Sequence, residues 1–143
     1  LELGFLKYGD PTWRGAGAPA QSYHTVYAFG RIDSGGWNES AALVVGGEFG
    51  IYHALGGAGP DLSDLGPPDA VYAMTSDERG VLPVLFVGGA GGPFGNIAQW
   101  DRLNFFRPLS FGTNGPIYSL CIFDDGSGPA LFAGGDFTDA GNL

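Results

Sequence analysis

The sequence predicts an all-β fold built from repeated four-stranded antiparallel sheets, and three recurring runs predict it. An apolar run closed by a glycine pair occurs at Leu43-Val44-Val45-Gly46-Gly47, Leu85-Phe86-Val87-Gly88-Gly89 and Leu131-Phe132-Ala133-Gly134-Gly135. A tyrosine-bearing run precedes each, at Val26-Tyr27-Ala28-Phe29, Val71-Tyr72-Ala73-Met74 and Ile117-Tyr118-Ser119-Leu120. A third run begins at Phe5, Ile51 and Ile97, spaced by 46 residues each time. A fixed period of this size marks a repeat architecture in which each unit buries its apolar face against a neighbour. Units of approximately 1–50, 51–96 and 97–143 form one repeat domain.

The tyrosine-bearing run is the first strand of each unit. Val26 and Ala28, Val71 and Ala73, and Ile117 and Ser119 share one face, with Tyr27 and Phe29, Tyr72 and Met74, and Tyr118 and Leu120 on the other. Both faces are largely apolar, as in a strand buried on two sides between stacked sheets. Tyr27, Tyr72 and Tyr118 are therefore expected at equivalent, mostly buried positions, with the column of small residues near a crowded axis. A turn follows. In the third unit it reads Asp124-Asp125-Gly126-Ser127-Gly128, residue types that accept the positive φ angles of tight hairpins. The apolar run is the returning strand, and its glycine pair marks a close backbone approach or a positive φ. Residues 96–101 predict a third strand and 104–109 a fourth.

Composition agrees with this pattern. Hydrophobic residues make up 44% of 143 residues, enough for a real core, while 27 glycines and 10 prolines leave little room for long helices. No stretch approaches the ~20 apolar residues of a membrane-spanning helix. The net charge is −9, and the six basic residues Lys7, Arg14, Arg31, Arg79, Arg102 and Arg107 are scattered. No basic stripe follows a phosphate backbone, which argues against nucleic acid and anionic membranes as partners. An acidic, lysine-poor chain is expected outside the cell or at its surface. The chain opens without an initiator methionine or a leader pattern, which predicts a segment of something larger. Cys121 is the sole cysteine and is expected as a small buried hydrophobe.

An apolar run, Gly-Gly, an aromatic residue followed by Asp, and a further aromatic residue resemble the Kelch-type β-propeller repeat. Here these are Leu85-Phe86-Val87-Gly88-Gly89, then Trp100-Asp101, then Phe105 or Phe106. The chain is also similar to bacterial and fungal cell-surface repeats through Gly134-Gly135-Asp136-Phe137-Thr138 and Ile97-Ala98-Gln99-Trp100-Asp101. The middle copy departs: His53-Ala54 stands at the Trp-Asp position and Leu65 at the later aromatic. In this phase the chain begins late in one blade, at residues 1–13, and continues with blades at about 22–65 and 70–109. It ends with the two inner strands of another, 117–135, and about three blades is fewer than the four to eight of a propeller. The resemblance therefore implies further blades of the same chain or a homodimer in which each end completes the partner's sheet. A β-trefoil, with three units of four strands, is the alternative fold.

Two function classes follow. The first is a non-enzymatic surface propeller that binds protein or glycan through loops at the blade ends. The second is part of a propeller enzyme resembling the galactose-oxidase relatives of Kelch, with catalytic residues outside this segment, or a β-trefoil lectin. His24 and His53 are the only histidines, and neither belongs to a recognisable nucleophile or metal motif. No catalytic residues and no cofactor are assigned. For ligand contact the candidates are Trp37 and Asn38, in a first hairpin longer than its counterparts. Trp13 and Trp100 fall at repeat positions expected in the core. Asp124, Asp125, Asp136 and Asp139 are the candidate calcium ligands, since Ca²⁺ takes six to eight oxygens, against the simpler reading of turn chemistry.

Overall fold

A computed structural model describes residues 4–5, 14–15, 25–32, 42–48, 50–55, 68–80, 83–101 and 106–141. All regular structure among them is β, with no helix. Eleven strands follow in chain order: β1 (Gly4–Phe5), β2 (Arg14–Gly15), β3 (Val26–Ile32), β4 (Ala42–Gly47), β5 (Gly50–Leu55) and β6 (Ala70–Asp77), then β7 (Val84–Ala90), β8 (Ile97–Asp101), β9 (Arg107–Pro108), β10 (Ile117–Asp124) and β11 (Pro129–Gly135). They pair antiparallel, each with its sequence neighbour, into the sheets β1-β2, β3-β4-β5, β6-β7-β8-β9 and β10-β11. Among the described residues no sheet closes on itself. The three tyrosine-bearing runs lie at or one residue from the start of β3, β6 and β10, the three glycine pairs at or one residue from the end of β4, β7 and β11, and Ile51 and Ile97 stand in β5 and β8. Of the fourth strand expected over 104–109, the described residues from 106 onward give only Arg107–Pro108.

The glycine pairs have two different jobs. In the first two pairs the first glycine faces the neighbouring sheet: a Cβ on Gly46 would strike Val71 and Met74, and one on Gly88 would strike Ile117 and Leu120. The second glycine faces its own sheet: a Cβ on Gly89 would land on the carbonyl oxygen of Ala70, and one on Gly135 on that of Pro116. One glycine admits the next sheet; the other admits the backbone entering its own first strand. Every backbone polar group in a strand needs a partner, and this close approach allows that at the strand's start. Asp136 N donates to Pro116 O at 3.0 Å, and Glu48 N to Thr25 O at 3.2 Å in the first unit.

Sheets therefore stack through their first strands, β3 beside β6 and β6 beside β10. Val44, Ile51, Val71, Leu85, Val87, Ala98, Trp100 and Phe106 form the core, with Met74 and Phe94 packed against it. Each such aliphatic side chain contributes about 1.5–3 kcal/mol when fully buried. At the far end of the first strands the Ser76 hydroxyl donates to the Arg31 carbonyl at 2.5 Å, and Arg31 Nη1 lies 3.8 Å from Glu78 Oε1.

Two expectations are corrected. Tyr27, Tyr72 and Tyr118 do hold equivalent positions, but Tyr27 is 46% and Tyr118 55% exposed, and only Tyr72 is shielded from both sides by its neighbours. A strand covered on both faces would have placed them inside. A register skip at this position in each first strand, between Val26 and Ala28, Val71 and Ala73, and Ile117 and Ser119, turns them outward instead. Cys121 is exposed rather than buried. It pairs with Phe132 on the face of β10-β11 that no other described sheet covers.

Candidate binding surface

At each register skip two residues of the first strand oppose one of the second. This is a β-bulge, which leaves the extra residue outside the ladder and re-aims its side chain. The extra residue is the tyrosine in all three units. Their rings meet in a column across the stack: Tyr27 and Tyr72 are edge-on with centroids 5.2 Å apart, and Tyr72 and Tyr118 are tilted at 5.5 Å. Such pairs contribute about 0.5–1.5 kcal/mol beyond area burial. Glu48, the residue after the first glycine pair, sits at one end of the column. Its carboxylate accepts from the Tyr27 hydroxyl at 2.9 Å and from Thr25 N at 3.3 Å. This hydrogen bond holds the Tyr27 phenol above its ordinary pKa, aided by desolvation and by the Glu48 charge. Asp136 follows the third glycine pair at the equivalent position and is exposed.

The loops at this same end, where first strands begin and second strands finish, are tied together by two asparagines. Asn96 accepts from Gly91 N at 3.0 Å and donates to Thr113 O at 2.7 Å. Asn114 accepts from Thr138 N and Asp139 N, both at 3.0 Å, and its amide donates to Thr138 Oγ1 at 2.9 Å. Asn114 N reaches Asp139 O at 3.1 Å and Gly141 N reaches Gly112 O at 2.7 Å, so the last loop is sewn to the one before β10. Between them lies a cleft of about 220 Å³ lined by Phe111, Gly112, Thr113, Asn114, Asp139 and Gly141. Phe111 stands 79% exposed at its rim. Beside it Ser110 adopts φ 55°, a left-handed conformation that costs a non-glycine residue about 1–2 kcal/mol. Local strain of this kind concentrates at binding sites.

The structure divides the four candidate calcium ligands between opposite ends of β10-β11. Asp124 and Asp125 occupy the hairpin turn. Asp124 Oδ1 accepts from Gly126 N at 2.8 Å and Gly128 N at 3.0 Å, and Asp125 Oδ1 accepts from Ser127 N at 3.0 Å and Ser127 Oγ at 2.6 Å. The Ser127 bonds hold the Asp125 carboxyl below the usual range. Asp136 and Asp139 follow the other end of β11, a strand length away. Among the described residues no three His, Cys, Asp or Glu side chains gather as a metal group. Trp37 and Asn38 lie outside the described residues, as do His24 and Trp13; Trp100 is in the core and His53 in β5. The sequence reading missed Phe111 and Asn114. Their signal was the turn-rich stretch Ser110-Phe111-Gly112-Thr113-Asn114-Gly115, where a large aromatic stands among residues that do not pack cores.

The fold and this surface together define an all-β protein of stacked antiparallel sheets with an aromatic-rimmed loop cleft at one end. Compared with known proteins, the chain matches no family model, no curated protein and no solved structure.

Proposed function

We propose that the chain is a segment of a secreted or cell-surface β-propeller of the Kelch-like kind, and that it binds rather than catalyses. Its ligand is protein or glycan, taken by the loops where the first strands begin. Phe111 carries this reading. A large aromatic 79% exposed at the rim of a cleft that Asn114 and Asp139 also line joins an apolar platform to polar groups. Binding sites combine these features, and loops on a rigid sheet scaffold are where they are built. Glycan is favoured over protein for the cleft, because a sugar ring offers an apolar face and hydroxyls at that scale. The propeller itself is supported by the sheets stacked through their first strands and by the glycine positions that permit stacking.

A glycan array read with the intact chain and with Phe111→Ala tests the reading. Binding to a defined glycan set, lost at least tenfold in Phe111→Ala with an unchanged melting temperature, is the expected result. Equal binding by both proteins would remove the cleft from the site. Retention of a protein ligand in place of any glycan, with the same Phe111 dependence, would keep the cleft and change the ligand class.

A further inference from the structure

The stack repeats one contact at each step. Val71 and Met74 of β6 sit over Gly46, and Ile117 and Leu120 of β10 sit over Gly88. In each case the first and fourth residues of a tyrosine-bearing run cover the first glycine of the preceding pair. Gly134 is the third such glycine. A Cβ there would meet only the Ser119 hydroxyl of its own sheet, at 2.6 Å. Around Gly134 the same face carries Ser119, Cys121, Phe123 and Phe132, all exposed, with the two phenyl rings 6.1 Å apart. At the other end of the stack the corresponding pair is Val26 and Phe29. Val26 is half-buried and Phe29 is 55% exposed.

From this continuity we propose that a second copy of the chain docks head to tail. Its Val26 and Phe29 cover Gly134 as Val71 and Met74 cover Gly46, and its Tyr27 extends the tyrosine column from Tyr118. The sheet-to-sheet interface already present twice within the chain is then made a third time between chains. The two surfaces differ, so the contact is heterologous: it closes a ring or propagates. An exposed apolar sheet face of this kind is otherwise an aggregation liability. The inference stands on the stacking geometry and not on the ligand proposed for the cleft.

Sedimentation of the intact chain, two variants and their mixture tests it. Gly134→Val places a side chain where the partner must sit, and Phe29→Asp puts a charge on the opposite surface. The expected result is association of the wild-type chain, as a closed species or one that grows with concentration, and loss of association in each variant alone. An equal mixture should restore a complex of about twice the monomer mass, since one intact head and one intact tail remain. Phe132→Asp repeats the tail test, and circular dichroism shows that each variant keeps its β structure. A wild-type chain monomeric at every concentration overturns the proposal. So does association that survives Gly134→Val and Phe132→Asp. Association that survives only Phe29→Asp indicates a face-to-face dimer of β10-β11 and overturns it equally.

Discussion

The middle sheet and the last one carry nearly the same strand sequence and have opposite surroundings. Leu85-Phe86-Val87-Gly88-Gly89 and Leu131-Phe132-Ala133-Gly134-Gly135 both follow a first strand, a turn and a return. In the middle sheet Leu85 is 1% exposed, Val87 is fully buried, and Gly88 lies under Ile117. In the last sheet Leu131 is half-buried, and Phe132 and Ala133 are exposed. The middle sheet is also completed by β8 and β9, while β11 pairs only with β10 among the described residues. Burial in this fold thus belongs to the stack and not to the strand. A unit makes its own hydrogen bonds, but its neighbour makes its core, as expected where stability is a sum of unit and interface contributions.

The glycines give the largest test of that contrast. The second glycine of a pair meets its own sheet, so Gly89→Ala and Gly135→Ala should both destabilise, by about 3 kcal/mol, because the obstacle is a backbone carbonyl that cannot turn aside. The first glycine meets the neighbouring sheet. Gly88→Val should cost about 2–3 kcal/mol through its clash with Ile117. Gly134→Val should cost the monomer no more than about 0.5 kcal/mol, a surface-like effect. Urea denaturation of the four variants, at a concentration where the wild-type chain is monomeric, measures this, and equal losses for Gly88→Val and Gly134→Val would show that the last sheet is covered within the monomer.

Cavity substitutions sharpen the same point with a smaller difference. Leu85→Ala should lose about 2–5 kcal/mol, as for a fully buried leucine, and Leu131→Ala clearly less, since its half-buried side chain leaves no sealed cavity. Thermal melts of both in parallel decide it.

The smallest effect is electrostatic and local to the turns. Arg79 holds the Asp77 carboxyl low through a paired hydrogen bond, Nε to Oδ1 and Nη2 to Oδ2, both 2.9 Å, and Ser127 holds Asp125 low. Because both folded values lie below the ordinary carboxylate pKa, the unfolded chain binds more protons in acid. The stabilisation is complete above about pH 4 and falls away as pH drops through the lower folded values. Protection of the Arg79 and Ser127 amides against hydrogen exchange, compared between about pH 5 and the acid side of that range, should weaken at these turns while the Val71 and Val87 amides hold. Uniform loss across the core would assign acid sensitivity to the stack instead.

Much of the fold was legible in the chain because backbone chemistry is local. The 46-residue beat placed the first three strand types, and Asp124-Asp125-Gly126-Ser127-Gly128 placed the hairpin between β10 and β11. The candidate surface was far less legible. Apolar residues on both faces of Val71-Tyr72-Ala73-Met74 put the tyrosine inside, and a bulge that changes the period by one residue leaves no mark in residue type. Cys121 read as buried because Ile117–Asp124 is an apolar strand, and an apolar strand is buried only where something covers it. Phe111 lies outside every repeated run, so the period carries no information about it.

By itself the sequence determined an all-β chain of repeated units, the paired strands within each unit, and glycines wherever a side chain would obstruct. Those follow from propensity, turn chemistry and period, which act over a few residues. Only the tertiary structure decided which face of each strand is core, which tyrosines reach the surface, and that Asp124 and Asp125 lie a strand away from Asp136 and Asp139. Those depend on what the neighbouring sheet brings into contact, and a neighbour 46 residues away is set by packing in three dimensions.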